Sequence, residues 1–512
     1  MPAVPFPVLA LGAIAAFILQ YAISRYRFNK KYKFPNVVPG LPILGNSLQV
    51  PFPAAGMWGV ETARKYGEMY TCFLGGTTLV FLNSARVVND LMEKRASIYS
   101  SRPYRPLCQD IMSGGVRMLL MPYSDKWRNQ RKIMHSILNG QQAETKFVPY
   151  QELEAKQLVY DYLREPEKFN VANQAFANSV IMSVVFGRRA SIDDPELKAI
   201  LKAVADLGEY LFNPMKNLVD AFPWLAKLPK PLQWWRPAGE AYFKNAISIY
   251  QHELDKLLVK MDNGTARPCF AVDVIQAAEK KEFQIGEHEK LFVFSTLLEA
   301  GSDTSRNAIT QMVAAAAVYP EWVQKARLAL DKVCGANAER LPSLSDRDAV
   351  PYMTAVVKET LRWRPFIQTG VPHMLTQDDE YEGYKFPAGT MFTWNAYALA
   401  LNENDYEDPE RFMPERFMNK DLKNPLKGHW SFGTGRRVCV GYNVAQNNMW
   451  LAMACLIYCF DFAEDPEHPI DTFNTNWEEW ARPPFKVKIK PRSGAHVELI
   501  NRVSVEALNA HY

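Results

Sequence analysis

Residues 432–441 read Phe-Gly-Thr-Gly-Arg-Arg-Val-Cys-Val-Gly, and this short glycine-rich stretch decides the fold of the 512-residue chain. Because the chain contains only 7 Cys, 26 Gly and 28 Phe, a chance match to F-x-x-G-x-R-x-C-x-G is on the order of one in ten thousand. The pattern favours a thiolate at Cys439 that binds a haem iron, since a metal-bound sulfur is deprotonated and glycines let the backbone approach a flat macrocycle. An inert cysteine in a glycine-rich turn is the alternative.

The residues around Cys439 suit such a site. Phe432 can shield the sulfur from water, and Arg437 can reach a haem propionate. An apolar run from Met449 to Phe460 follows, so we expect a buried helix whose N-terminal end favours the thiolate. The stretch resembles the haem-binding signature of the cytochrome P-450 superfamily at every fixed position. That resemblance implies a mainly α fold, a triangular helical prism with a small β region, that carries haem b with Cys439 as the iron ligand.

Composition favours a globular protein with a large core. Hydrophobic residues make up 48% of the chain, which is ample for that core. With 59 basic and 55 acidic residues the net charge is only +4, so we expect no nucleic-acid partner. The seven cysteines are scattered and odd in number, as is typical of reduced thiols rather than a disulfide framework.

The N-terminal region predicts a membrane anchor. Residues 1–24 carry no charged side chain, and Val4 to Ile23 could cross a bilayer as one transmembrane helix. A basic cluster follows at once, and positive charge of this kind stays in the cytosol; its members are Arg25, Arg27, Lys30, Lys31 and Lys33. We therefore expect an anchor (1–24), a basic, Pro/Gly-rich hinge (25–45) and a cytosolic haem-thiolate domain (46–512). For a microsomal P-450 this means a single-pass protein of the endoplasmic reticulum membrane, and a cleaved signal peptide is the alternative.

Apolar periodicity predicts helices in most of the remaining chain. The helical windows are 86–97, 125–139, 170–187, 195–212, 241–260, 287–318, 320–334, 350–363 and 442–460. Three shorter stretches favour strands, at 68–82, 380–393 and 484–500.

Glu359 and Arg362 have the i, i+3 spacing of a helical ion pair, and in isolation they would be read as a solvated surface pair. Their position about 80 residues before Cys439 resembles the P-450 pattern, in which these two and a later arginine form a buried structural triad. Arg416, in Pro414-Glu415-Arg416-Phe417, matches that arginine better than Arg411 in the overlapping Pro409–Phe412.

Polar residues interrupt the longest helical window at Ala300-Gly301-Ser302-Asp303-Thr304-Ser305. Such residues weaken a helix, so either a simple kink or a function is expected. Small side chains at 300 and 301 would leave room for oxygen, and Asp303 and Thr304 would pass protons from solvent to it. The P-450 pattern A/G-G-x-D/E-T-T/S is matched here, and the catalytic assignments are therefore Asp303 and Thr304.

Other positions are assigned from the same resemblance. Trp127 and Arg131 match W-x-x-x-R, and they are expected to hold the haem propionates together with His373 and Arg437. Each of these could instead be an ordinary packing residue. The predicted substrate pocket is apolar and aromatic, and its proposed walls are Phe294, Leu297, Ala300, Phe366 and Ile367. One departure lies at Tyr442–Asn448, where many relatives read L-A-x-x-E.

The resemblance implies a haem-thiolate monooxygenase that inserts one oxygen atom from O2 into a hydrophobic small molecule. No dinucleotide fingerprint is present, so electrons from NADPH would come through a separate membrane-bound NADPH–cytochrome P-450 reductase, with a cytochrome b-type donor as a further partner. The segment 370–384 looks most like filamentous-fungal members of secondary-metabolite pathways, which suggests an aromatic polyketide or a prenylated compound as substrate. A haem-thiolate isomerase or dehydratase that does not use O2 is one alternative, and a non-enzymatic haem sensor or membrane scaffold is another.

Overall fold

The computed structural model describes residues 19–20, 23, 26–28, 30–42, 44–52, 54–213 and 216–512. Helices dominate this part of the chain, in agreement with the predicted mainly α fold. The α-helices are α1 Gly56–Tyr66, α2 Ala85–Val88, α3 Ala96–Tyr99, α4 Asp125–Ile137, α5 Gly140–Thr145, α6 Val148–Arg164, α7 Phe169–Phe186, α8 Pro195–Phe212, α9 Leu218–Ala221, α10 Arg236–Asp262, α11 Phe270–Glu279, α12 Glu287–Val318, α13 Pro320–Cys334, α14 Pro351–Trp363, α15 Ala396–Ala400, α16 Tyr442–Cys459 and α17 Gly494–Asn509. Two π-helical turns occur, at Asn89–Lys94 and Pro106–Ile111.

Local sequence explains where several helices begin and end. Helix α8 begins at Pro195, and the Asp194 side chain caps it by accepting hydrogen bonds from the amides of Glu196 and Leu197. Helix α7 ends where Gly187 adopts a left-handed conformation with φ of 64°. These caps place the ends of both helices within a residue of the predicted windows.

The strands form small sheets at the edge of the helical body. They are β1 Met69–Leu74, β2 Thr77–Leu82, β3 His373–Met374, β4 Asp379–Tyr381, β5 Tyr384–Phe386, β6 Met391–Trp394, β7 Phe460–Glu464 and β8 Val487–Pro491. The largest sheet has the order β1-β2-β6-β3, with β2 parallel to β6 and the other pairs antiparallel. Strands β4 and β5 form a hairpin, and β7 pairs with β8. The predicted strand at 484–500 is correct only for β8, because Ser493 caps α17 directly after it.

The segment after residue 32 is attached to the sheet. Lys33 forms a bridge to Lys385 and Val37 to Thr71, and the Val38 amide donates to the Thr71 carbonyl at 2.9 Å. The second half of the predicted hinge therefore lies on the globular body. The predicted anchor, residues 1–24, lies outside the described residues except for Leu19, Gln20 and Ile23. Within the described residues, no helix combines the length and the apolar character needed to cross a membrane.

Helix α12 runs through the core and packs against α7 and α16. Gly301 is needed for the contact with α7, since a Cβ there would lie 2.5 Å from Cγ1 of Ile181. The helix is continuous from Glu287 to Val318, so the polar interruption does not break it. Gly301 itself is half-buried, so besides its contact with α7 the expectation that it makes room for oxygen stays a prediction.

Candidate active site

The Cys439 loop is held in shape by its own backbone and by the π-helical turn Asn89–Lys94. The Cys439 amide donates to the Phe432 carbonyl at 2.8 Å. Gly435 has φ of 64°, and a Cβ there would lie 2.2 Å from the Met92 carbonyl oxygen, so only glycine fits. Glu93 accepts hydrogen bonds from the Thr434 hydroxyl and, at 2.6 Å, from the Gly435 amide. This turn fixes the direction in which the loop reaches Cys439.

Three influences act on the Cys439 thiol. Burial raises its pKa, whereas the Gly441 amide, which donates a hydrogen bond to the sulfur, and the nearby positive charge of Arg131 both lower it. Helix α16 begins at Tyr442, three residues later, and its N-terminal end also favours a negative sulfur. Burial is the largest of these influences and the pKa of the thiol is raised overall, so a metal cation is needed to hold Cys439 as a thiolate.

A cluster of basic side chains lies beside this loop with no acidic partner. Among the described residues, Arg102, Arg131 and Arg437 form no ion pair. Burial and the charge of Arg437 lower the pKa of Arg102, and burial and Arg131 lower the pKa of Arg437 to about 9. Burial and the charge of Arg102 also lower the pKa of His373 well below its ordinary value. Arg102 is buried and Arg131 and Arg437 are half-buried, and cations that destabilise one another in this way call for an anionic partner.

Backbone carbonyls accept hydrogen bonds from only some of the N–H groups around this cluster. Arg437 donates to the carbonyls of Ser100 and Met121, at 2.5 and 2.6 Å, and stacks over the Trp127 ring at 4.5 Å. Trp127 itself is 3% exposed, and its Nε1–H has no hydrogen-bond partner. His373 donates from Nδ1 to the Tyr99 carbonyl at 2.8 Å, so only the charged imidazolium has a second N–H, at Nε2, that can donate to a carboxylate. An unpaired N–H beside several uncompensated cations fits the two carboxylates of a haem, so the residues present fit this cofactor.

Helix α12 presents one open face in the middle of an otherwise buried helix. Ala300 is exposed, and Thr296, Glu299, Asp303 and Thr304 are half-buried. Spacings of three and four residues place all five on one side of a helix. The residues between them, such as Leu298 and Ser302, are 2 and 3% exposed. This face is therefore left partly uncovered by the described residues, as a substrate site requires.

Asp303 and Thr304 lie on this face in different settings. The Thr304 hydroxyl donates to the Ala300 carbonyl at 2.8 Å, one turn earlier in the helix. Asp303 lies 3.7 Å from Nε of Arg306, and its side chain is 44% exposed. Burial raises the pKa of the Asp303 carboxyl, and the positive charge of Arg306 opposes that rise. A carboxyl with a raised pKa next to a hydroxyl can hold and move protons.

Comparison with known proteins agrees with this combination of loop, basic cluster and helix. The family model described as "Cytochrome P450" matches residues 35–491. The chain belongs to the cytochrome P450 family. It is an enzyme of the P450 monooxygenase class, to which its curated relatives belong by name.

Two fungal relatives illustrate the likeness. Cytochrome P450 monooxygenase fogE of Aspergillus ruber is 33% identical over 450 residues, which cover 86% of this chain and 82% of that protein. Cytochrome P450 monooxygenase yanC of Aspergillus niger is 32% identical and covers 96% of both chains. A zebra fish cytochrome P450, solved with abiraterone, has a TM-score of 0.67 at 20% identity and covers 86% of this chain and 100% of its own. The last likeness shows the shared P450 fold.

The structure brings the three residues of the P450 triad together. Glu359 and Arg362 are fully buried, and Arg362 donates to both carboxylate oxygens of Glu359 at 2.8 Å. Nε of Arg416 donates to Glu359 at 3.2 Å. Arg411, from the overlapping motif copy, instead pairs with Glu321 on the surface. Pro365 cannot donate to the Leu361 carbonyl at the end of α14, and Ser431 of the Cys439 loop donates to it at 2.5 Å.

The atypical start of α16 has a structural explanation. Gln151 of α6 donates to Oδ1 of Asn448 at 2.6 Å and to the Val444 carbonyl at 3.0 Å. Arg347 donates to Asn447 at 2.6 Å. The partner of position 448 is the neutral Gln151, so a neutral asparagine suits this position where many relatives have a charged glutamate.

The predicted pocket residues divide into two groups. Ala300 and Ile367 are exposed, and Phe366 is half-buried, as pocket walls would be. Phe294 is fully buried between Phe186 and Phe270, with ring centroids 5.7 and 6.1 Å away. Its assignment to the pocket is wrong, because its ring is enclosed by these neighbours, about 120° around α12 from Ala300. Leu297, at 6% exposure, is also part of the main core.

Sequence reasoning missed some of the residues that surround the candidate site. Arg102 joins the basic cluster, Glu93 holds the Cys439 loop, and Glu299 pairs with the buried Arg117 beside the open face of α12. Each is a charged side chain that a single sequence presents as ordinary surface. Among the three, only Glu299 could have been noticed from sequence, because it is a charged residue in an otherwise apolar stretch.

Proposed function

We propose that this P450 inserts one oxygen atom from O2 into a hydrophobic small molecule, a fungal secondary metabolite such as an aromatic polyketide or a prenylated compound. The observation that carries the proposal is the Cys439 loop beside a basic cluster that lacks counter-charges. The open face of α12, with Asp303 and Thr304, supports oxygen chemistry rather than a sensor or scaffold. It also weighs against an isomerase, since rearrangement without O2 needs no proton relay.

The chain's own residues would divide the work. Cys439 would bind the haem iron, and Trp127, Arg131, His373 and Arg437, joined by Arg102, would hold the propionates. Haem bound in this way supplies the activation of O2 and the transfer of one oxygen atom. Phe432 would shield the sulfur, Asp303 would take up protons at the open face of α12, and Thr304 would pass them along that face. The Glu359–Arg362–Arg416 triad keeps α14 fixed behind the loop.

Electrons would come from NADPH through a separate cytochrome P450 reductase, since the chain contains no dinucleotide-binding fingerprint. A cytochrome b-type protein is a further candidate donor. Lys132 and Arg436 are exposed near the Cys439 side, and positive side chains there would attract an acidic donor.

Attachment to the endoplasmic reticulum membrane is part of the proposal. The segment 212–236 exposes large apolar side chains, which favours contact with a membrane interface; they are Phe212 at 51%, Trp224 at 63%, Leu232 at 59% and Trp234 at 61%. The exposed Lys227 and Lys230 lie among them, as expected next to anionic lipid. Phe222 packs near Gly75, whose amide donates to the Leu44 carbonyl at 3.2 Å, so this surface adjoins the segment that leads to the N-terminus.

The decisive experiment combines a spectrum with oxygen consumption. The dithionite-reduced protein with carbon monoxide should show the red-shifted Soret band of a thiolate complex, and Cys439→Ala should lose it. With reductase and an accepted substrate, NADPH and O2 should be consumed in step with a product heavier by one oxygen. Product formation without O2 would establish the isomerase alternative, and a normal protein without the thiolate band would refute the haem assignment.

A further inference from the structure

A buried ion pair borders the open face of α12. Arg117, in the loop before α4, is fully buried and pairs with Glu299, whose side chain is 12% exposed. Arg117 also donates from Nε to the Ser113 hydroxyl at 2.9 Å and from its second amino group to the Tyr242 hydroxyl at 3.3 Å. Its guanidinium lies over the Phe292 ring at 4.8 Å. The pair therefore links this loop to helices α10 and α12.

One oxygen of Glu299 is not used by this network. Oε1 accepts from Arg117 and, at 3.1 Å, from the Tyr250 hydroxyl. The described residues offer Oε2 no hydrogen-bond donor, and it is not among the fully enclosed polar atoms. The free acceptor thus belongs to a carboxylate on the open face of α12 whose other oxygen is held by Arg117 and Tyr250.

Stability does not account for this arrangement. Replacing a buried ion pair by apolar residues of similar volume is often neutral or stabilising, and the neighbours Phe292, Leu297 and Leu298 are all apolar and buried. A charge kept in such surroundings is better explained by a contact that an apolar residue could not make.

We propose that Glu299 is a specificity-determining residue that accepts a hydrogen bond, through Oε2, from a hydroxyl group on an otherwise hydrophobic substrate. The inference rests on the proposed function and names a feature of its substrate class. Arg117 and Tyr250 are the positioning residues, since they fix Oε1 and thereby the orientation of the carboxylate.

The chemistry of the pair restricts the ligand group. Arg117 neutralises Glu299. A neutral O–H donor loses little hydration free energy on binding there, and it gains a charge-assisted hydrogen bond to the carboxylate. A carboxylate would meet the Oε2 lone pairs and be repelled. Glu299 precedes Thr304 by five residues, or about 7.5 Å along the helix axis. The recognised hydroxyl is therefore remote from the oxidised carbon, by roughly the span of one aromatic ring.

The test uses three probes that differ in one group: naphthalen-2-ol, 2-methoxynaphthalene and naphthalene-2-carboxylate. Their dissociation constants for the haem-loaded protein are measured by equilibrium dialysis at pH 7.5, independently of turnover. The wild-type protein should bind the naphthol about 10- to 100-fold more tightly than the methoxy compound, the range expected for a hydrogen bond to a charged group. The carboxylate should bind most weakly.

Two variants separate recognition from folding. Glu299→Gln keeps an acceptor for Arg117 and Tyr250 but turns the free oxygen into an N–H donor, so the preference should reverse towards the methoxy compound. The double variant Arg117→Met/Glu299→Leu leaves no unpaired charge, and it should bind both compounds equally. Glu289→Gln is the matched control, because Glu289 is a buried carboxylate of the same helix, bonded to Gln130 at 3.0 Å. It should retain the wild-type preference.

The outcomes distinguish this inference from the proposed function. Equal wild-type affinity for naphthol and methoxynaphthalene, or no binding of either, overturns the role of Glu299. So does an unchanged preference in the double variant. Loss of the thiolate carbonyl band in the wild-type protein would instead overturn the proposed function, whatever the probes do.

Discussion

Arg362→Ala should prevent stable haem incorporation. The substitution removes two hydrogen bonds of 2.8 Å to Glu359 and leaves that carboxylate, which is fully buried, with Arg416 and the Met413 amide as its remaining partners. Breaking a buried pair in this way costs about 3–5 kcal/mol. The carbonyls of Ala400 and Pro409 lose their donor as well, at about 1 kcal/mol each or more.

The sum is about 5–7 kcal/mol, which is comparable with the whole stability of many proteins, about 5–15 kcal/mol. Arg362→Lys should recover only part of it, because lysine keeps the charge but lacks the planar fork that meets both oxygens. Arg411→Ala is the matched control: its partner Glu321 is a surface residue, and the two side chains are 48 and 45% exposed. Such exposed pairs contribute about 0–1 kcal/mol.

The assay measures haem per protein by the pyridine haemochromogen method, and the free energy of unfolding by urea titration of whatever remains soluble. Arg411→Ala should be close to wild type in both, Arg362→Lys intermediate, and Arg362→Ala largely without haem. Full haem occupancy in Arg362→Ala, with a loss of stability below about 1.5 kcal/mol, would show that the triad does not hold the loop.

Four further perturbations follow from the same geometry. Thr304→Ala should release hydrogen peroxide in place of product and lower coupling by roughly tenfold or more, as measured by product formed per NADPH. Trp127→Phe removes the unpaired Nε1–H and should weaken haem retention by about 10- to 100-fold in a transfer assay to apomyoglobin. Glu93→Ala, unlike Glu93→Gln, should increase the fraction of protein whose carbonyl band is not of the thiolate type. Burial raises the pKa of Asp161 to about 6, above the unfolded value of about 3.9, so its ionisation costs stability above pH 6. Asp161→Asn should therefore add about 2–3 kcal/mol to the free energy of unfolding at pH 8, and this gain should disappear as the pH falls through 6 towards 4.

The sequence predicts best where one kind of local signal acts alone. Helix α12 begins and ends at the predicted residues because its apolar periodicity is long enough to resume after the polar residues 302–305. Helix α6 was not predicted, although it has 17 residues. Its buried face includes Gln151 and Glu154, which are buried only because Gln151 donates to α16 and Glu154 pairs with Arg189. Their partners lie far away in the chain, so periodicity cannot reveal that face.

In the candidate site, too, some residues can be recognised from local sequence and others only from partners far away in the chain. Cys439 and its glycines are recognisable because covalent chemistry and backbone conformation restrict which residue types fit at each position. Arg102 and Arg117 are not recognisable, since a buried arginine is distinguished from a surface one by its partners alone: carbonyls for Arg102 and Glu299 for Arg117. The misplaced Phe294 shows a third limit, because proximity to Ala300 in sequence says nothing about which side of the helix a residue occupies.

These limits explain why the reaction class is easier to infer than the substrate. In the proposed function, oxygen activation depends on residues whose spacing is set within single segments, the loop at 432–441 and one turn of α12. Substrate choice depends on side chains brought together from separate elements, as Arg117, Tyr250 and Glu299 are. If Glu299 does select a hydroxylated substrate, then replacing the Arg117–Glu299 pair should change which compounds bind but leave the thiolate band and the proposed proton transfer through Asp303 and Thr304 unchanged. Recognition and chemistry would then be separable on the same face of α12, a few residues apart.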